Sequence, residues 1–163
     1  MKHLSELKEL PEFEPIFAVL DSTLLDLNNQ QFINDTQGLI QQVGFAPVYG
    51  IYFQEINHII FNHEGEQLQA DDEKPSYTGF CELGIALSLG STIHMINWNS
   101  LAGHQPLPVN IDNSPQPTLM FKILVSNNDM ISNFVIPDPR TFLIIDTIMR
   151  GFGKIEASQQ NQN

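Results

Sequence analysis

Cysteine is nearly missing from this sequence. Cys81 is the only one, so no internal disulfide can form and no cysteine cluster is available for zinc. Basic residues are scarce too: seven Lys and Arg stand against nineteen Asp and Glu, a formal net charge of −12. Without a dense basic cluster, contact with nucleic-acid phosphates is disfavoured and no nucleic-acid partner is expected. No apolar run approaches the roughly 18 residues of a membrane span, so no membrane association is expected. The opening MKHLSELKEL is charged throughout and has no signal-peptide core. The simplest reading is a cytoplasmic protein; a secreted one whose leader was removed is the alternative. The glycine patterns G-x-G-x-x-G and G-x-x-x-x-G-K-[ST] are also missing, and no cofactor is expected.

What the chain does have is apolar material in organised runs. Its 163 residues are 42% hydrophobic, with eleven Phe, enough for one sizeable core. A single globular domain is expected over residues 1–155, followed by a mobile polar tail over 156–163. The charge is unevenly spread. Residues 1–73 hold thirteen acids against Lys2 and Lys8, net −11, while residues 74–163 hold six acids against five bases, net −1. A one-sided negative field favours a basic protein surface as partner; the bland alternative is that it serves solubility alone.

Along the chain, EFEPIFAVLDSTLLDLN (12–28) spaces Ile16, Phe17, Leu20, Leu24 and Leu27 as a helix does, with Pro15 near its start. A second helix is predicted over 30–43, with Gly44 at its stop. VYGIYF (48–53) and HIIFNH (58–63) read as a hairpin. CELGIALSL (81–89) alternates as one strand, small residues Gly84, Ala86 and Ser88 on one face; a helix is the rival reading. TIHMINW (92–98) reads as a further strand. Four prolines among residues 99–117 predict a long irregular connection. LMFKILV (119–125) and MISNFVI (130–136) make the clearest hairpin. A last helix is predicted from an Asp138 cap and Pro139, through Phe142, Ile145, Ile148 and Met149, to a stop at Gly151. The order predicts an α+β fold: N-terminal helices, a mainly antiparallel sheet of about 5–6 strands, and a C-terminal helix packed on that sheet.

Three chemistries can be weighed. His58 and His63 are five apart, so on one strand their imidazoles diverge, and the following residues do not make H-E-x-x-H; no metal site is expected there. The carboxylate run Glu64, Glu66, Asp71, Asp72, Glu73 is interrupted by Gln67–Ala70, so it cannot close a calcium loop. Ala86-Leu87-Ser88-Leu89-Gly90 is a variant of the nucleophile elbow, but after Asp112 no histidine follows, and a small residue on a closely packed face accounts for Ser88. No catalytic residue is therefore assigned.

The first reading is a non-catalytic acidic binding module, in concrete form an inhibitor or immunity-type protein covering a basic partner. Glu64, Glu66, Asp71, Asp72 and Glu73 would steer, and Tyr77 and Trp98 would anchor. One alternative is a small hydrolase or metalloenzyme using dispersed residues around His58, His63 and His94. Another is a structural or assembly subunit whose Gly84/Ala86/Ser88 face packs against a second copy.

Overall fold

The computed structural model describes residues 2–26, 30, 34, 38–54, 59–61, 67–68, 76–89, 92–109, 118–127, 130–136 and 139–161. The fold is α+β. Two short 3-10 segments, Leu4–Glu9 and Pro11–Phe13, lead into helix α1, Glu14–Thr23. Nine strands follow among the described residues: β1 Val48–Gln54, β2 Ile59–Phe61, β3 Gln67–Leu68, β4 Ser76–Cys81, β5 Gly84–Leu89, β6 Thr92–Asn97, β7 Leu101–Val109, β8 Thr118–Asn127 and β9 Met130–Ile136. Helix α2, Pro139–Asn161, is the last described element.

The strands form two antiparallel sheets rather than the one predicted: a four-stranded sheet in the order β1-β4-β5-β6 and a five-stranded sheet in the order β3-β2-β9-β8-β7. The expected β1–β2 hairpin is not formed. β1 pairs with β4, and β2 pairs with β3 and β9. The apolar alternation of 48–53 and 58–63 suits any partner strand, and sequence proximity did not choose it.

The four-stranded sheet is buried on both faces. Phe80, Ile85, Leu87 and Ile96 turn to one side, into a core with Leu4, Leu7, Phe13, Leu20, Trp98 and the α2 residues Phe142, Ile144, Ile145, Ile148 and Phe152. Cys81, Ala86 and Ile51 turn to the other, against Ile40 and Phe45. Neighbouring strand residues point oppositely, so Ile85 and Ala86 serve two cores at once. The run 81–89 is not a single strand. It breaks at Glu82-Leu83, where the chain reverses so that Phe80 pairs with Ile85, and this puts Cys81 on the same face as Ala86.

α1 starts where its sequence allows, with a proline in its first turn. Its end is tied to the sheet through Thr23, whose Oγ1 donates to the Leu20 carbonyl at 2.6 Å and accepts from the Ile51 N–H at 2.8 Å. Gly50 lets the two elements approach: a Cβ there would sit 2.7 Å from the Leu20 Cβ. Residues 38–42 are helical and stop at Gly44 as expected. Gly44 has φ 77°, Phe45 N–H donates to the Ile40 carbonyl at 2.9 Å and Gly44 N–H to the Gln41 carbonyl at 3.1 Å, a Schellman closure.

Two further predictions fail for stated reasons. The proline-rich stretch holds strand β7, in which Pro106 pairs with Phe121 and Pro108 with Leu119. β7 is the last strand in its sheet's order. Prolines two apart turn both imide nitrogens to one side, so the unpaired side of an edge strand accommodates them. Nor does Gly151 end the last helix, which begins at Pro139 as predicted but runs on to Asn161. A Cβ at Gly151 would lie 2.4 Å from the Phe13 ring and 2.8 Å from Leu7 Cδ2. Glycine is there for close packing on the N-terminal segment, not as a stop. The predicted stripe Phe142, Ile145 and Ile148 is buried, and α2 makes contacts with β8, β9 and the Leu4–Glu9 segment. The Asp138 cap lies outside the described residues.

Candidate functional site

Most of the predicted partner-binding residues, Glu64, Glu66, Asp71, Asp72 and Glu73, lie outside the described residues, as do His58, His63 and Asp112. Tyr77 is in β4, opposite Phe53 and Ser88, half-buried and packed against the Cys81–Ala86 core. Trp98 is corrected. It is only 2% exposed, its Nε1 donates to the Cys81 carbonyl at 3.1 Å, and its ring lies 6.0 Å from that of Phe152. Between two polar asparagines its sequence setting allows an exposed interface aromatic or a half-buried residue at a strand end, and an indole needs only one hydrogen-bond partner to be buried more fully than either. It presents no surface to a partner. The Gly84/Ala86 face is likewise filled within the chain: Ala86 packs in the core of Ile40, Phe45 and Ile51, and a Cβ at Gly84 would sit 1.9 Å from the Ile96 carbonyl oxygen. At these two positions the space is taken by the chain's own atoms.

His94, on β6 opposite Leu87, is partly buried, and burial lowers its pKa below the ordinary value. Among the described residues no group of three His, Cys, Asp or Glu could hold a metal ion; His58 and His63 are not among them. Ser88 sits within β5 rather than at a strand-to-helix turn, so it does not have the geometry of a nucleophile elbow.

One polar constellation is visible that sequence reasoning missed. Glu82, in the β4–β5 turn, accepts from the Ser5 N–H at 2.8 Å and from the Tyr49 hydroxyl at 2.7 Å, with His3 Nδ1 3.9 Å away. Its own backbone N–H donates to the Phe45 and Pro47 carbonyls, each at 3.0 Å, and its carbonyl accepts from Leu4 N–H at 2.8 Å. Burial opposes ionisation of this carboxyl, but the Ser5 and Tyr49 hydrogen bonds and the nearby His3 outweigh it, and its pKa lies below the ordinary value. Burial first, then Glu82, pushes the Tyr49 phenol up to about 12. Carboxylate and phenol thus keep fixed protonation states across the neutral range, which suits a structural lock and not proton transfer. Lys8 reinforces the lock, its Nζ 4.7 Å from the Tyr49 ring and 5.4 Å from the Phe17 ring.

The surface that faces solvent nearby is acidic. Glu9, Glu12, Glu14, Asp21 and Asp26 are all exposed. On α1, Leu20, Ile16 and Phe17 face the core, which at 100° per residue turns Glu14, Ala18, Asp21 and Ser22 outward. Among these acids Val19 is 46% exposed and Leu25, just past the helix, 82% exposed. The helical period was legible in the sequence, though it was read over 12–28 and α1 spans only Glu14–Thr23. The stripe Ile16, Phe17, Leu20, Leu24 and Leu27 left Val19 and Leu25 out, and the outer face they lie on was not assigned a role.

Comparison of the chain with protein-family models, curated proteins and solved structures finds no match.

Proposed function

We propose that this chain is a non-catalytic binding module for a basic protein surface, of the kind an inhibitor or immunity-type protein presents. The observation that carries the reading is the placement of charge: net −11 over residues 1–73, with exposed Glu14, Asp21 and Asp26 on and just beyond α1 beside exposed Val19 and Leu25. Exposed apolar side chains set among like charges supply contact points and a steering field together. Glu64, Glu66, Asp71, Asp72 and Glu73 extend that field in this reading, and Tyr77 contributes a half-buried aromatic. Trp98 has no anchoring role in it.

The test is co-purification at low ionic strength followed by association rates with the captured protein. Neutralising Asp71, Asp72 and Glu73 to Asn, Asn and Gln, or Glu14 and Asp21 to Gln and Asn, should slow association at low salt, and the gap to wild type should narrow as salt screens the field. Val19→Ala and Leu25→Ala should instead speed dissociation. Unchanged association rates in both charge variants at low salt would sink the reading.

A further inference from the structure

We propose that the cleft between the first residues of the chain and the last turns of α2 is a binding site for an alkylammonium or guanidinium group, with Lys2 as its built-in occupant. The cleft has a volume of about 300 Å³ and is lined by Lys2, Glu6, Asn99, Phe152, Ile155 and Glu156, among others. Its chemistry is displayed by what already sits in it. The Lys2 ammonium lies 3.2 Å from Glu156 Oε1 and 5.8 Å from the centre of the Phe152 ring, so one cation meets a carboxylate and an aromatic face together. Phe152 is held by the core, only 3% exposed and tilted at 47° to the Trp98 ring, and the partly buried Ile155 packs against the same core. The apolar floor is therefore rigid, while the charged rim is at the surface.

Two carboxylates, Glu6 and Glu156, line the cleft beside one ammonium. The lining carries a net charge of −1 with Lys2 in place (two acids, one base) and −2 with Lys2 swung out. Displacing Lys2 would cost little. It lies in irregular chain, ahead of the Leu4–Glu9 segment and of the Leu4 N–H to Glu82 carbonyl bond that fixes the N-terminus to the sheet, and its ion pair with a half-exposed Glu156 is of the weak surface kind. An incoming cation would run its alkyl stem along Phe152 and Ile155 and place its charge on Glu156, as Lys2 does. The cation could belong to a free amine or to a lysine or arginine side chain of another protein; the chemistry is the same.

The experiment is an NMR titration of the full chain and of Lys2→Ala, reading the Asn99 side-chain amide and the Phe152 ring. The probes are n-butylammonium, N-acetyl-lysine-N-methylamide and, as an uncharged control, 1-butanol. Lys2→Ala should bind n-butylammonium saturably, and the wild type roughly three- to thirtyfold more weakly, the factor that one surface ion pair plus one cation–π contact supports. Adding Glu156→Gln to Lys2→Ala should remove most of that binding, and 1-butanol should not reproduce it. Comparable binding of the lysine amide would point to a protein side chain as ligand; exclusion of it, with butylammonium still bound, would point to a free amine. Both positions are surface residues, so the fold should persist, which the remaining amide spectrum checks. No saturable shift in Lys2→Ala, the same shift with 1-butanol, or binding indifferent to Glu156→Gln would each overturn the proposal.

Discussion

Glu82 shows how one side chain can hold distant parts of a chain in register. Its carboxylate reaches Ser5 in the N-terminal segment and Tyr49 in β1, while its backbone reaches Leu4, Phe45 and Pro47. Glu82→Gln weakens hydrogen bonds to a charged acceptor and should cost roughly 1.5–3 kcal/mol at neutral pH. The folded-state pKa of Glu82 is depressed, so its contribution is present above the unfolded carboxylate's pKa. It should be lost as pH falls from about 4.3 through the lower folded value. Denaturant midpoints of wild type and Glu82→Gln should therefore differ at pH 7 and converge in acid; a gap that stays constant with pH would show that the charge is not what matters. Tyr49 has the opposite sign: its pKa is raised from 10.0 to about 12, so its contribution holds below about 10 and fades as pH rises toward 12. None of this was legible in the sequence, because Glu82 falls inside a run whose alternation disguised a turn.

Cys81 makes a second residue-scale case. It is fully buried, and burial pushes its thiol pKa up to about 12. A thiolate is the reactive form, so a thiol reagent at pH 8 should modify the native protein only as fast as the chain opens. The reaction should accelerate with denaturant in step with unfolding; fast stoichiometric labelling in buffer alone would contradict the buried placement.

Among the elements, the two glycines of α2 separate backbone propensity from packing. Gly153 has nothing within 4 Å of a would-be Cβ, so Gly153→Ala should stabilise by about 0.5–1 kcal/mol through helix propensity alone. Gly151→Ala gains the same propensity but drives a methyl to 2.4 Å from the Phe13 ring and 2.8 Å from Leu7, in a core that cannot give way cheaply. It should destabilise. Thermal melts of the two variants should move in opposite directions, and a stabilising Gly151→Ala would mean that the N-terminal segment does not pack there. The same pair explains where sequence reasoning about elements stopped. Local punctuation was readable: Pro15 at the start of α1, Gly44 closing the 38–42 helix, the β8–β9 hairpin, Pro139 opening α2. Features set by distant neighbours were not. Gly151 looks like a stop unless Phe13 is known to sit on it, Pro106 and Pro108 look like a loop unless β7 is known to be an edge, and β1 reaches past β2 and β3 to find β4.

For the molecule as a whole, the charge of −12 must act on the folded state even if it serves a partner. Thirteen acids against two bases in residues 1–73 repel one another in the compact chain and less so in the expanded one. Attractive pairs oppose this, among them Lys2–Glu156 and Lys154–Glu12, each at 3.2 Å, and surface pairs of this kind are worth little individually. Repulsion should win, and added NaCl should stabilise the fold. Between about 10 mM and 0.15 M the screening length falls from roughly 30 to 8 Å, so most of the rise in melting temperature should occur over that range. The triple change of Asp71, Asp72 and Glu73 to Asn, Asn and Gln should raise the low-salt melting temperature and flatten its salt dependence. Glu12→Gln should do less, because it also removes the partner of Lys154. A melting temperature that falls with NaCl would mean that attraction dominates the field. If the triple variant is more stable at low salt yet slower to meet its partner, those charges are retained at a cost to folding, as expected of groups placed for recognition.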